Sequence, residues 1–299
     1  SAASDVYKRQ IPNGVKSLDR YSFCNCSNLT SINIPESVTY IGIGAFYLCT
    51  NLKSIAIPDS VTKIENITFT GCSSLTSISI PESVTYIGLN AFKDCTSLTS
   101  IYIPDSVTLT GLSGTFSGCT SLTNVKLPDV IYIISTNTFA GCSSLLNIII
   151  PDSVTSIKEC AFEGCKSLTN IAIPESVTKI GTWAFKDCTS LKSIAINNPD
   201  CEISNAKDTI PETAVIYGYK NSTAQTYAES FNRKFISLEE IGDISGNGEI
   251  DLYDAIEIAK AIMGLRTFTA EEMIIADFNM DGAVDLYDAI EIARTLLPK

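Results

Sequence analysis

Two twelve-residue segments near the C-terminus carry oxygen-bearing side chains at the spacing a hard cation needs. The first holds Asp243, Ser245, Asn247, Gly248, Glu249, Asp251 and Asp254; the second holds Asp277, Asn279, Asp281, Gly282, Ala283, Asp285 and Asp288. Both follow the pattern D-x-[DN]-x-[DN]-G closely. Ca²⁺ takes roughly six to eight oxygens, supplied in such a loop by side chains at positions 1, 3 and 5, by the position-7 carbonyl (here Glu249 or Ala283), and by positions 9 and 12. Glycine at position 6 makes a turn that a residue with a Cβ resists. The expectation is two bound Ca²⁺ ions, one per loop. Two substitutions depart from the usual loop: aspartate replaces the longer glutamate at position 12, and Ser245 stands where an amide or carboxylate is common.

The duplication runs past the ligands. Each loop continues into one amphipathic helix, Ala255 to Lys260 and Ala289 to Arg294, inside a shared DLYDAIEIA segment, and no obvious helix precedes either loop. Ligand geometry alone would not require that extension. This paired half-EF-hand resembles a dockerin, type I-like, the module that plugs cellulosomal proteins into the cohesin domains of a scaffoldin. The resemblance implies cohesin contacts at loop positions 10 and 11 and on the following helix. These are Leu252, Tyr253 and Lys260 in the first half, and Leu286, Tyr287 and Arg294 in the second. Because the two sets are nearly identical, it also implies that either helix could face the partner after a half-turn. Core packing is the other reading of Leu252 and Leu286.

Composition narrows the rest. The chain of 299 residues has a net charge of −12 and no histidine. From Gly242 onward twelve acids face four bases, so this short segment carries −8 of the −12. No basic patch offers the counterion release that nucleic-acid binding draws on, and no apolar run is long enough for a membrane span. Without histidine the Ser-His-Asp and Cys-His arrangements and the commonest transition-metal ligand are excluded. No catalytic constellation appears among these residues, and the expectation is a non-enzyme.

Most of the remaining chain is one repeat. Ile-Pro-acid-Ser or a close variant recurs at Ile11, Ile34, Ile57, Ile80, Ile103, Leu127, Ile150 and Ile173, in steps of 23 apart from one step of 24. A phenylalanine column runs Phe23, Phe46, Phe69, Phe92, Phe116, Phe139, Phe162, Phe185 at the same step, with a cysteine three residues after each. LxxIxI reads as a short strand closed by proline, which cannot donate to a ladder; VTxIG crosses the opposite side, and AFxxC turns back tightly. One coil cannot bury its own apolar face, so coils must stack at roughly 4.8 Å into a rod about 40 Å long. The pattern resembles the BspA-like leucine-rich repeats of bacterial surface proteins.

Eight of the eleven cysteines, Cys26 to Cys188, form the column beside the phenylalanines. Parallel Cβ vectors one coil apart do not suit disulfide geometry, so these read as small hydrophobes. For Cys24, Cys160 and Cys201, off the column, a bond stays open. The outward strand positions are mostly small and polar. Tyr102, Lys126 and Ile149, on successive coils, break that monotony and form the candidate patch for a protein or glycan ligand; a solvated face is the alternative. The acid column Glu36, Asp59, Glu82, Asp105, Asp129, Asp152 and Glu175 reads as turn-stabilising and solubilising.

The predicted fold class is therefore a mostly β solenoid of leucine-rich repeats, about 23 residues per coil, with an α/β C-terminal cap, followed by a small α-helical calcium-binding dockerin of two half-EF-hands. The expected boundaries are 1–10, matching no repeat column and reading in Asp5 to Gln10 like a translated sequencing adapter, with the natural protein beginning upstream; 11–197, the solenoid; 198–241, cap and linker; and 242–299, the dockerin. Taken together, the resemblances imply an extracellular, non-catalytic subunit attached to a cellulosome or bacterial surface. The alternatives are an enzyme, a peptidase or glycoside hydrolase, whose catalytic domain lies further toward the N-terminus, and a host-cell adhesin.

Overall fold

The computed structural model describes residues 8–107, 112–279 and 283–297. It is a β-solenoid of about nine coils with 23-residue spacing, closed by a small α/β cap and continued by a helical module. Most coils open with a strand of three or four residues in which inward and outward side chains alternate, as in Ser54–Ala56 and Ser77–Ser79, where the middle residue points inward and the flanks point out. These strands pair in parallel with no slip, Ile55 opposite Ile78 and Ala56 opposite Ser79. A second, shorter strand such as Lys63–Ile64 or Tyr86–Ile87 forms a ladder on the other side. The expected alternation is thus observed, and a one-residue slip would expose every buried isoleucine.

The tight turns stack as regularly as the strands. Phe46 N–H donates to Thr68 in the next coil, Phe69 to Ala91 and Phe139 to Ala161, while Cys49 N–H closes the turn onto Phe46. The phenyl rings stack face to face along the axis, with centroids 5.3 to 5.8 Å apart. Phe46 through Phe185 are fully buried.

Beside the rings, each column thiol from Cys49 to Cys188 donates to a carbonyl of the preceding coil: Cys49 Sγ to Phe23 O at 3.0 Å, Cys95 to Phe69 at 3.2 Å, Cys188 to Phe162 at 3.1 Å. All eleven cysteines are free, Cys24, Cys160 and Cys201 included. The column sulfurs are therefore weak donors as well as hydrophobes, which their spacing alone did not reveal. Burial pushes Cys49 and Cys119 from an ordinary 9.0 up to about 12.

Residues 8–10, which carry no repeat signature, pair as a strand with Ser31–Asn33. Ladder bonds are made by backbone, so a neighbour of suitable length suffices. At the other end, Val215–Gly218, the helix α1 (Thr223–Ser230) and Phe235–Ser237 form the strand, helix and strand expected, and Ser222 caps α1 by accepting from Gln225 N–H. Ile210, Ile216, Ala224, Tyr227 and Ala228 join the rod's own hydrophobic core, so this segment is a lid on the last coil.

Each coil also needs a left-handed backbone residue just ahead of its phenylalanine. Neighbouring coils fill that place with Gly44, Asn90, Gly114 and Asn137, whereas one coil puts β-branched Ile67 there at φ +51°. Ile67→Asn should therefore raise the urea midpoint by the equivalent of about 1 kcal/mol; an unchanged or lower midpoint would contradict this. The thiol column sets an alkaline limit. The folded pKa values of Cys49 and Cys119 lie above the unfolded one, so the contribution of these thiols is complete below about pH 9 and falls away as pH rises toward 12. Urea midpoints measured across that window should decline, and less steeply for Cys119→Ala; identical slopes would argue against the column as the cause.

Candidate calcium and docking site

Among the described residues the C-terminal module has three helices: α2 (Leu252–Ile262), α3 (Ala270–Ala276) and α4 (Leu286–Thr295). The expectation that no helix precedes either loop fails for the second, where α3 runs up to the loop with Asp277 as its C-cap. Its sequence hid it: seven residues are too few for a clear period, although Thr269 and Glu272 form a reciprocal capping box. Helices α2 and α4 pack as a pair around Ala255, Ile258, Ala289 and Ile292, with Ile244 and Ala276 completing the core.

The first loop folds around its own carboxylates. Asp243 Oδ1 accepts from Asn247 N–H at 3.0 Å and from the Ser245 hydroxyl at 3.2 Å, and Oδ2 accepts from Gly248 N–H at 2.8 Å. Asp254 receives Ser245 N–H at 2.9 Å and Asp251 N–H at 2.8 Å, while Asp251 caps α2 by accepting from Tyr253 N–H at 2.7 Å. Gly246 and Gly248 hold φ of +69° and +88° in open space, so conformation and not crowding selects them. The second loop repeats the closing bonds, with Asp288 receiving Asn279 and Asp285 N–H and Asp285 receiving Tyr287 N–H. Asp281 and Gly282 lie outside the described residues.

The donor set fits a calcium ion. Asp254 and Asp288 are fully buried carboxylates. Among the described residues no ion pair involves Asp254, and a buried carboxylate is costly unless a positive charge compensates it. Carboxylate, hydroxyl, amide and main-chain oxygens make an all-oxygen, hard donor set. Among the described residues no three acidic or thiol side chains come together closely enough to hold a metal ion by themselves, so an ion here would draw also on the hydroxyl, amide and main-chain oxygens. Asp243, Ser245, Asn247, Asp251 and Asp254, with the Glu249 carbonyl, would hold one ion; of the second loop's described residues, Asp277, Asn279, Asp285 and Asp288, with the Ala283 carbonyl, would hold another.

Beside the loops, the four residues at positions 10 and 11 are not core. Leu252 and Leu286 are 59% and 58% exposed, and Tyr253 and Tyr287 are 70% and 67% exposed. Each pair opens a helix on the solvent side, and exposed Ile256 and Ile290 extend the stripe one turn further. Those isoleucines were missed in the sequence, although the i, i+4 spacing from Leu252 and Leu286 marks them. Lys260 pairs with Glu257 at 2.7 Å and Arg294 with Glu291 at 2.5 Å, so both basic residues are engaged within their own helices. Lys260 and then Arg266 hold the Glu257 carboxyl below its usual range, and Arg266 also bonds Glu272, tying α2 to α3.

On the rod, Lys126 lies over the Tyr102 ring, 5.8 Å from its centroid, between Asp105 at 3.6 Å and Asp129 at 3.9 Å. Lys126 and Ile149 line one cleft of about 350 Å³. It opens where the outward ladder is interrupted: strand pairing stops after Lys126 and resumes at Asn170.

The family model of the BspA type leucine rich repeat region matches six copies over residues 3–113 and 112–207. The chain belongs to the BspA-type leucine-rich-repeat family. Its residues 241–297 match the dockerin type I domain, so this BspA-type protein carries a dockerin after its repeats. Among solved structures, a leucine-rich repeat protein from Bacteroides ovatus is 30% identical, covering 77% of this chain and 71% of its own at a TM-score of 0.62. One from Eubacterium ventriosum is 23% identical over 69% and 64% of the two chains, TM-score 0.53, and shows the fold alone. No curated protein matches significantly. The repeat and dockerin domains are non-catalytic types, and no described helix is long and apolar enough to cross a membrane.

Asp254→Ala strips the acceptor from two backbone N–H groups at once. Loss of such a cap costs about 1 to 2 kcal/mol, so amide exchange over residues 245–255 should accelerate while that of α4 does not. Unchanged exchange in the first loop would remove the carboxylate from this structural role.

Proposed function

We propose that this BspA-type protein is a non-catalytic component of a cellulosome, outside the cell, in which the dockerin binds a scaffoldin cohesin in a calcium-dependent way and the rod presents a protein- or glycan-binding surface. The observation that carries the reading is the duplicated, exposed Leu-Tyr pair beside each oxygen-lined loop. Bound calcium supplies the positive charge that lets several carboxylates share one small loop. The chain's own residues do the rest: Asp251 and Asp285 start the helices, Asp254 and Asp288 tie loop to helix, and Leu252, Tyr253, Leu286 and Tyr287 offer the apolar contact. Lys260 and Arg294, further along the same helices, lie toward the rim of that contact, where charge steers encounter more than it adds affinity. On the rod, Tyr102, Lys126 and Ile149 are the proposed contact patch, because Lys126 and the exposed Ile149 line one cleft and the Tyr102 ring lies under the Lys126 ammonium at its edge.

Calorimetric titration of the full chain with Ca²⁺, then with a panel of cohesins with and without chelator, tests this. Two calcium sites are expected, with cohesin binding abolished by chelator. Truncation of the pairs on both helices (Leu252→Ser, Tyr253→Ser, Leu286→Ser, Tyr287→Ser) should weaken cohesin at least about thirtyfold, on the order of 2 to 4 kcal/mol for hot-spot loss, and spare calcium binding. Calcium binding without any cohesin response would leave the module a structural one, and absence of calcium binding would overturn the reading.

A further inference from the structure

The two calcium loops are near duplicates in sequence but not in surroundings. Along the rod the third strand residue points outward and is exposed, as at Ala56, Ser79 and Ala172. Ala195, in the same column, is only 4% exposed, and Tyr217, paired opposite it in the next coil, also only 4%. What covers them comes from the dockerin side. Ile241 and Phe278 close a small hydrophobic cluster with Ala195 and Tyr217, supported by Val215, Ile236 and Leu238. Phe278 is position 2 of the second calcium loop, between Asp277 and Asn279, and it packs on the dockerin's own core as well. Its counterpart in the first loop, Ile244, belongs to the dockerin core alone.

Three further contacts fix the same junction. Gly242 N–H donates to the Ile275 carbonyl at 2.8 Å, joining the start of the dockerin to α3 just after Ile241. Gly242 lies at φ +91°, and a Cβ there would stand 2.7 Å from the Phe278 ring, so the glycine lets that ring lie against the backbone. Asn279, position 3, lines a cleft with Asn170, Ala172 and Ser193 of the rod. Asp277 is buried, whereas the corresponding Asp243 is only half-buried.

We infer that the end of the rod is a structural part of the second calcium site: Tyr217, Ile241 and Phe278 are positioning residues that make the second loop the tighter of the two and couple its calcium to docking of the dockerin on the rod. A loop whose first three positions are already held against a rigid sheet loses less freedom when it gathers its oxygens around an ion. Linkage makes the effect reciprocal, so calcium in that loop must strengthen docking by the factor by which docking strengthens calcium. The first loop, with no rod contact at position 2, lacks this support. The inference rests on the proposed calcium binding.

The test uses the full chain with one loop silenced at a time, Asp254→Ala to read the second site and Asp288→Ala to read the first, each with and without Ile241→Ser. Ile241 touches the rod-side cluster and no proposed ligand. The second site should bind Ca²⁺ on the order of tenfold more tightly than the first, and Ile241→Ser should bring it level while leaving the first unchanged. Hydrogen exchange supplies a readout independent of affinity: calcium should slow exchange at residues 193–196 and 215–218 in the unsubstituted chain and not in Ile241→Ser. Equal affinities at the outset, an Ile241→Ser chain with the same ratio as its parent, or rod amides indifferent to calcium would each overturn the coupling. No calcium uptake in either silenced chain would instead bring down the calcium reading on which it stands.

Discussion

Everything in the rod follows from the fact that no coil can bury its own apolar face. A 23-residue turn has one inward isoleucine per strand, one phenylalanine and one cysteine, and these become a core only when the same residues of the next coil lie against them. The phenyl stack, the strand ladders and the thiol-to-carbonyl column are three expressions of that constraint, all running along the axis. The stack therefore needs a lid. The capping strands and α1 supply it at the C-terminal end, burying Tyr227 and Ala228 on the last coil while the tyrosine hydroxyl accepts from Ile210 N–H.

The dockerin solves a different problem with different forces. A module this small has little apolar surface to bury, and its core is a handful of residues shared by α2 and α4. Its carboxylates hold the loops by accepting backbone N–H groups, doing the work of helix caps while keeping oxygens available along the loop. Charge in so acidic a module demands compensation, and within the described residues the basic side chains Lys260, Arg266 and Arg294 are spent on Glu257, Glu272 and Glu291, away from the loops. The exposed Leu-Tyr pairs are a cost to the free chain that a partner surface would recover.

The junction between the two parts changes how the module presents itself. Phe278 belongs to two hydrophobic clusters at once, one in the dockerin and one on the rod. A sequence duplication that looks symmetric is thereby placed in asymmetric surroundings, and the outward face of the rod ends where the dockerin covers it at Ala195 and Tyr217.

The sequence alone determined the repeat, its period, the identity of the core columns, the cap and the residues of both loops, because each is a local pattern repeated with a fixed step, and repetition makes a weak signal strong. The outward placement of Leu252 and Leu286 stood only as one of two readings there, since a leucine at a helix start suits core and contact surface equally. Tertiary structure decided that point, because the faces of α2 and α4 that meet are set by Ala255, Ile258, Ala289 and Ile292. It also decided that Lys8 to Gln10 join the ladder, which asks for backbone and no particular side chains. It alone revealed α3, too short to show a period, the interrupted ladder beside Ile149, and the burial of Phe278 against the rod. Contacts between residues as distant in sequence as Ala195 and Phe278 leave no spacing to read; they exist only once the coils have stacked and brought the last strand to the place where the loop returns.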